Sequence, residues 1–290
     1  MRYTIKNRLL TVTVDSIGAE LVSVKKREEE YIRQCRDSEL WSSHAPILFP
    51  VCGRLSGGGY LYDGIKYNMP LHGFAKDFDF EVRFCGNDRI LLSLSADEKS
   101  KEFFPFEFEF TVEYRLSADT VDVKTVVKNR GDKVMPATVG FHPGFAVARD
   151  ADLLSDCRID FVEDCSPDKL LLSADGFNTG RKCAFPLEDG HLLNVSDSLI
   201  GDCGLFLSNT SGRVLLESPV GEKRVEIDCH GTPYVGIWRE NSKNAGYICI
   251  EPWCGLPSFE GDLSDIETKN DMFRIQPMNE KKIGIRMKFF

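Results

Sequence analysis

A two-residue alternation of apolar and polar side chains recurs through most of this chain and constrains its fold more than any other feature. Successive side chains of an extended strand point to opposite faces, so this alternation marks half-buried strands. In "FEFEFTVEYRLSADTVDVKTVVKNRGD", residues 106–132, Phe108, Phe110, Val112, Tyr114 and Leu116 share one face. The chain then turns at Ser117–Thr120 and alternates again. "LLTVTVD" puts Leu10, Val12 and Val14 on one face, and "FEVRFCGNDRILLSLSAD" reads as a hairpin around Gly86, Asn87 and Asp88. "GRVLLESPVGEKRVEIDCHG" reads as another, turning near Pro219, Val220, Gly221 and Glu222.

Helical signals are few. "DEKSKEFFPF" predicts one short helix before Pro105, and "DLLSDCRIDF" fits either state. The lack of long amphipathic helices disfavours βαβ folds and helix bundles. No repeat, low-complexity segment or linker interrupts the chain, and residues 150–200, the least regular, are expected to carry long loops. The sequence predicts an all-β protein, one large antiparallel β-sandwich domain spanning residues 1–290.

Composition narrows the partners. The 290 residues are 42% hydrophobic and 28% charged, which suits a large buried core. A formal net charge of −9 disfavours nucleic acid and anionic membrane surfaces. The amino terminus has no apolar signal-peptide core, and no apolar run approaches the roughly 20 residues of a membrane helix. The ten cysteines are scattered without a C-x-x-C pair, so reduced thiols in a cytoplasmic protein are expected.

Four stretches place a polar group where a strand meets a Pro or Gly corner. "YICIEPWCGLPSF" carries Glu251 after an apolar run, with Pro252 expected to end the strand and Trp253 to shield the carboxylate. "TVGFHPGF" carries His142, "LHGFAKDFDF" carries His72, and "FPVCGRLSGG" carries Arg54. Each alone reads as a turn residue or a surface ion-pair partner; together they would form a polar cluster on a β scaffold. No His-x-His or His-x-x-x-His spacing points to a metal, so none is expected. A G-x-S-x-G elbow is missing, and no G-K-[ST] follows the glycines of "RLSGGGYLYDG". Glycoside hydrolysis needs a second carboxylate, and none stands out. A Glu/His pair suits proton transfer at the two ends of one substrate.

Five stretches, in order, resemble the aldose 1-epimerase (galactose mutarotase-like) family, in particular its shorter bacterial branch. They are "LWSSHAPILFPVCGRL" (40–55), "LHGFAKDFDFEV" (71–82), "VGFHPGF" (139–145), "TPYVGIWRE" (232–240) and "CIEPWCGLPSFEGDL" (249–263). The resemblance implies a galactose mutarotase-like β-supersandwich and interconversion of the α and β anomers of an aldohexose, with no metal or cofactor. It implies Glu251 as general base, His142 as general acid, and His72 and Arg54 as sugar-binding groups. Asp202 in "LIGDCGLFL" best matches the family's sugar-binding aspartate. Trp238 and Phe74 are expected to offer apolar faces to the sugar, or else to serve the core. Gly144 after "HP" departs from the family pattern and is expected to widen the site. Lys76 stands where arginine is common, near the phosphate in the sugar-phosphate branch; lysine keeps the charge but loses the bidentate fork. A free hexose is therefore favoured as substrate. A hexose-6-phosphate 1-epimerase and a non-catalytic carbohydrate-binding protein remain the alternatives.

Overall fold

The computed structural model describes residues 1–34, 41–147, 157–218, 224–240 and 246–290. The alternating segments form strands in the expected sense. Over Phe108–Ser117 the burial alternates strictly, and Ser117 pairs with Thr120 across the turn. Leu10, Val12 and Val14 are all buried. The strands of 108–129 lie in a nine-stranded sheet in the order Leu192–Asn194, Arg158–Asp160, Arg213–Glu217, Arg224–Asp228, Glu280–Phe289, Thr120–Asn129, Phe108–Ser117, Arg89–Ser95, Glu81–Cys85, whereas Leu10–Asp15 lies in a separate four-stranded sheet with Arg2–Lys6, Leu21–Lys26 and Glu29–Glu30. The expected turn at 219–222 lies outside the described residues, but the strands flanking it pair as a hairpin.

A second sheet of eight strands runs Asn178–Ala184, Asp168–Leu172, Leu205–Ser208, Tyr234–Trp238, Tyr247–Trp253, Gly140–Phe141, Ile47–Leu48, with Gly144–Ala146 also paired to Tyr247–Trp253. Every pairing between strands of the two large sheets is antiparallel. Apolar faces of both sheets share one core: Ile248, Ile250, Val235 and Ile237 belong to the same cluster as Phe110, Val112 and Val123. Phe49 stacks on Phe110 with ring centroids 4.4 Å apart. Burying such side chains contributes roughly 1.5–3 kcal/mol each, which is why period-two patterning sets the fold.

One expectation is met only in part: residues 157–200, the described part of the segment expected to carry long loops, also supply the hairpin Asp168–Leu172/Asn178–Ala184, strands Arg158–Asp160 and Leu192–Asn194, and the short helix Asp197–Ile200, with irregular connections between them. Within "DLLSDCRIDF" the described part is a strand, and residues 152–156 lie outside the described residues. The short helix before Pro105 is present at Glu98–Lys101, started by a capping box between Asp97 and Ser100. No described helix is long and apolar enough to cross a membrane.

Candidate active site

The strand Tyr247–Trp253 explains the placement of Glu251. Ile248 and Ile250 enter the core, whereas Tyr247, Cys249, Glu251 and Trp253 share the opposite face. Pro252 does not end this strand, contrary to expectation: Pro252 pairs with Val235 and Trp253 with Tyr234. The reason lies in the neighbouring chain. Ile250 N–H donates to Pro143 O and Cys254 N–H to Val139 O, so position 252 faces that same neighbour. The neighbour breaks there, between Gly140–Phe141 and Gly144–Ala146, and a missing N–H costs no ladder bond.

The same break positions the histidine. Gly140 pairs with Trp253 on one side of it, and Gly144 pairs with Cys249 on the other. Continuing either register puts His142 opposite Glu251. Their side chains meet, with His142 Nε2 3.3 Å from Glu251 Oε2, and both residues are buried, at 5% and 1% exposure. Space beside the carboxylate comes from Gly236, directly across the sheet; a Cβ there would lie 2.6 Å from Phe206 Cε1 and 3.1 Å from Glu251 Cβ.

His72 approaches from a tight turn. His72 and Gly73 both adopt positive φ, at +66° and +78°, and a Cβ on Gly73 would strike the Phe49 carbonyl oxygen at 2.0 Å. The imidazole lies 5.5 Å from that of His142 and 5.3 Å from the Trp253 ring. His72 Nδ1 accepts from Gly53 N–H at 3.1 Å, which leaves the ring proton on Nε2 as a donor.

Around His142 stands an aromatic cage. Trp41 lies over it at 4.8 Å, and Trp238 meets it edge-on at 5.6 Å. Tyr247 stacks on Trp41, and the buried Arg33 guanidinium lies 4.4 Å from the Tyr247 ring centre. Trp41 is anchored through its backbone N–H to Glu240 Oε2 at 2.7 Å. Gly144 does not widen the site: a Cβ there would sit 2.8 Å from Trp41 Cζ3, so the glycine makes room for the tryptophan. Trp41 and Arg33 were missed in the sequence, where neither has a local signature.

A chain of contacts continues to Arg54. Trp238 Nε1 donates to the Asp202 carbonyl at 3.4 Å, and Cys203 Sγ contacts the carbonyls of Ser173 and Ala174. Gly176, in the turn those residues begin, approaches Arg54 Nε, and Arg54 extends over the Phe177 ring at 5.8 Å. Arg54 and Asp202 are exposed, so they mark the mouth of the site. Lys76 is less available than expected, because its Nζ pairs with Asp77 Oδ2 at 2.5 Å.

Of the two roles expected of Phe74, a face to the sugar or a place in the core, the structure gives it the core. It is 1% exposed and packs against Phe78, Phe103 and Phe49 in the core. Two successive positive-φ residues break the alternation, so His72 and Phe74 do not share a face.

Electrostatics follow from burial. Desolvation pushes the Glu251 carboxyl well above its usual range and His142 down to about 3. Burial first, then His142, Lys76 and Arg54, holds His72 well below the ordinary histidine range. The facing pair thus shares one proton near neutrality, and the uncharged arrangement is favoured. Glu251 Oε1, His142 Nδ1 and Trp253 Nε1 are buried with no hydrogen-bond partner among the described residues. Buried polar atoms in that state mark a site built for a ligand's polar groups or for proton transfer.

This geometry places a buried carboxyl–imidazole pair on a scaffold of antiparallel β-sheets, and the comparisons identify the fold and family. The family model described as "Aldose 1-epimerase" matches residues 1–262. The solved galactose mutarotase related enzyme of Lactobacillus acidophilus is 31% identical and superposes with a TM-score of 0.92, over 100% of this chain and 97% of that one. A galactose mutarotase-like protein of Lactobacillus casei ATCC 334 is 28% identical, with a TM-score of 0.92 over the whole of both chains. Chromosomal LacX of Lactococcus lactis subsp. lactis is 27% identical over 97% of each chain. The chain belongs to the aldose 1-epimerase family, whose members act as isomerases on small-molecule sugars, and has the galactose mutarotase-like fold.

Proposed function

We propose that the protein is an aldose 1-epimerase acting on a free aldohexose. The carrying observation is the facing of Glu251 and His142 across the break at Pro143, buried and 3.3 Å apart. From the pair's less populated charged tautomer, which holds the same single proton, the carboxylate removes the proton of the anomeric hydroxyl while the imidazolium gives its proton to the ring oxygen. The C1–O5 bond breaks, the aldehyde turns about C1–C2, and closure on the other face returns both protons. Each proton transfer contributes about 10²–10⁴-fold. His72 Nε2–H and Arg54 supply donors to sugar hydroxyls, Trp238 an apolar face, and Asp202, whose backbone carbonyl accepts from Trp238 Nε1, an acceptor for hydroxyls at the mouth.

The state of Lys76 supports a neutral sugar. Its charge is matched by Asp77, which leaves Arg54 as the exposed cation at the mouth. A phosphate of nearly two charges would need more than one such group. The test is a coupled assay of α-anomer conversion with free glucose, free galactose and their 6-phosphates. The expected result is a higher kcat/KM for a free hexose. A clear preference for a 6-phosphate overturns the substrate reading, and no conversion of any of them overturns the enzyme reading.

A further inference from the structure

We infer that His142, Cys249 and Glu251 form a binding site for a thiophilic divalent cation, with Zn²⁺ as the fitting ion, and that this cation switches the site off. The inference goes beyond the proposed reaction, which has no use for Cys249. Cys249 and Glu251 are two apart on one strand and so share a face. His142 joins them from the neighbouring chain through the register described above. One donor atom from each, a ring nitrogen, a thiol sulfur and a carboxylate oxygen, lie within 4.8 Å of one another, and all three residues are buried.

The geometry is close to what zinc requires. Bond lengths of about 2.0–2.3 Å at tetrahedral angles separate neighbouring donors by roughly 3.3–3.6 Å. The nitrogen and the carboxylate oxygen already stand at 3.3 Å. The sulfur has at most roughly 1.2–1.5 Å to move, from within 4.8 Å to the roughly 3.3–3.6 Å that coordination needs, a shift that a change of side-chain rotamer covers. Charge also balances. A dication with one thiolate and one carboxylate is neutral, so its burial escapes the penalty that an isolated charge would meet. On coordination the thiol releases its proton to solvent, and so does the proton shared by Glu251 and His142. Burial first, then the Glu251 charge, hold the Cys249 thiol well above its usual range, with Arg33 acting in the opposite sense, so the sulfur is a thiol until the cation itself displaces its proton. Three protein donors leave a fourth position open.

The consequence is inhibition. Both proton-transfer groups would be held by the metal, so neither could serve the sugar. A divalent oxygen-seeking cation such as Mg²⁺ gains nothing from the sulfur and is not expected to compete.

The test uses the metal-free full-length protein and two readouts. Co²⁺, as an optical stand-in for Zn²⁺, is titrated without sugar; the thiolate-to-cobalt charge-transfer absorption is expected in wild type and absent in Cys249→Ala and Cys249→Ser. Polarimetry then follows anomer conversion with added Zn²⁺. Wild type is expected to lose activity, with KM raised by Zn²⁺ and recovery on adding chelator, while Mg²⁺ has no effect. Both variants should keep wild-type activity without metal. Loss of even an outer-shell partner weakens metal sites by about 10–100-fold, so the zinc needed for half-inhibition should rise at least roughly 100-fold. Absence of the charge-transfer absorption in wild type overturns the site, whatever the activity. Equal zinc inhibition of wild type and both variants overturns the role of Cys249. Because the optical arm needs no turnover, its failure is distinct from failure of the epimerase reading.

Discussion

Replacing Glu251 by glutamine separates the chemistry of this site from its architecture. The amide has the shape of the carboxyl and can still meet His142, whose Nε2 lies 3.3 Å from Glu251 Oε2. It cannot accept and return a proton. Loss of that transfer should lower kcat by about 10²–10⁴-fold, a barrier increase of roughly 2.7–5.5 kcal/mol. Stability should respond quite differently. Burial favours the uncharged pair, so the substitution exchanges one neutral group for another, and the cost should stay within about 1 kcal/mol. In a chain of this size that is about 2 °C or less in Tm. Were the resting pair ionic, removing the carboxylate would strand a buried imidazolium and cost about 3–5 kcal/mol. Polarimetry on freshly dissolved α-sugar, corrected for spontaneous mutarotation, reads the first quantity, and a thermal or denaturant melt reads the second. Near-wild-type turnover refutes the catalytic assignment. A loss of several kcal/mol in stability refutes the uncharged resting pair, and the proton argument falls with it.

Two further outcomes follow from the same geometry. The active pair holds one proton; as pH falls the second adds only near about 3, because burial depresses His142, and as pH rises the last leaves late, because burial raises Glu251. Initial rates should therefore show kcat/KM level through the ordinary histidine range, and an acid limb centred near about 6.5 would show an imidazole titrating as though exposed. Gly236→Ala should push Phe206 or Glu251 aside, costing about 1–3 kcal/mol of stability and at least roughly tenfold in kcat, whereas Gly231→Ala, with its nearest obstacle at 3.9 Å, should match wild type in the same melts and assays.

What the sequence made legible depended on range. Alternation is a local property enforced by burial, and the strands it marked at 10–15, 81–95 and 108–129 are present. Pro252 misled because a proline is judged by its own strand, whereas its tolerance here was decided by a break in the neighbour. Phe74 was read as either a sugar-facing ring or a core ring, and its closeness in sequence to His72 could not decide between them, because two left-handed residues lie just before it and send it into the core. The facing of His142 and Glu251 depends on register between segments more than a hundred residues apart, which no spacing encodes; it was anticipated through family resemblance. Trp41 and Arg33 had no periodic signal at all. Their place is set by the hole at Gly144 and by Tyr247, both distant in the chain.

The proton count ties these observations to the reaction. Mutarotation neither consumes nor releases a proton; it needs one to leave O1 as another reaches O5. A carboxylate facing an imidazolium becomes, after that exchange, a carboxylic acid facing a neutral imidazole. That product state is the arrangement that burial already favours at Glu251 and His142. On the proposed reaction, opening the ring would carry the pair towards its resting tautomer, and closing it on the other face would restore the charged form against the sugar's own hydroxyls. An exposed pair would gain nothing of this kind, because water would stabilise the charged form throughout. On the proposed reaction, the burial of both groups and the cage of Trp41 and Trp238 over His142 serve one end: they exclude water from a pair that holds a single proton and lies close enough, at 3.3 Å, for the sugar's two oxygens to exchange with it.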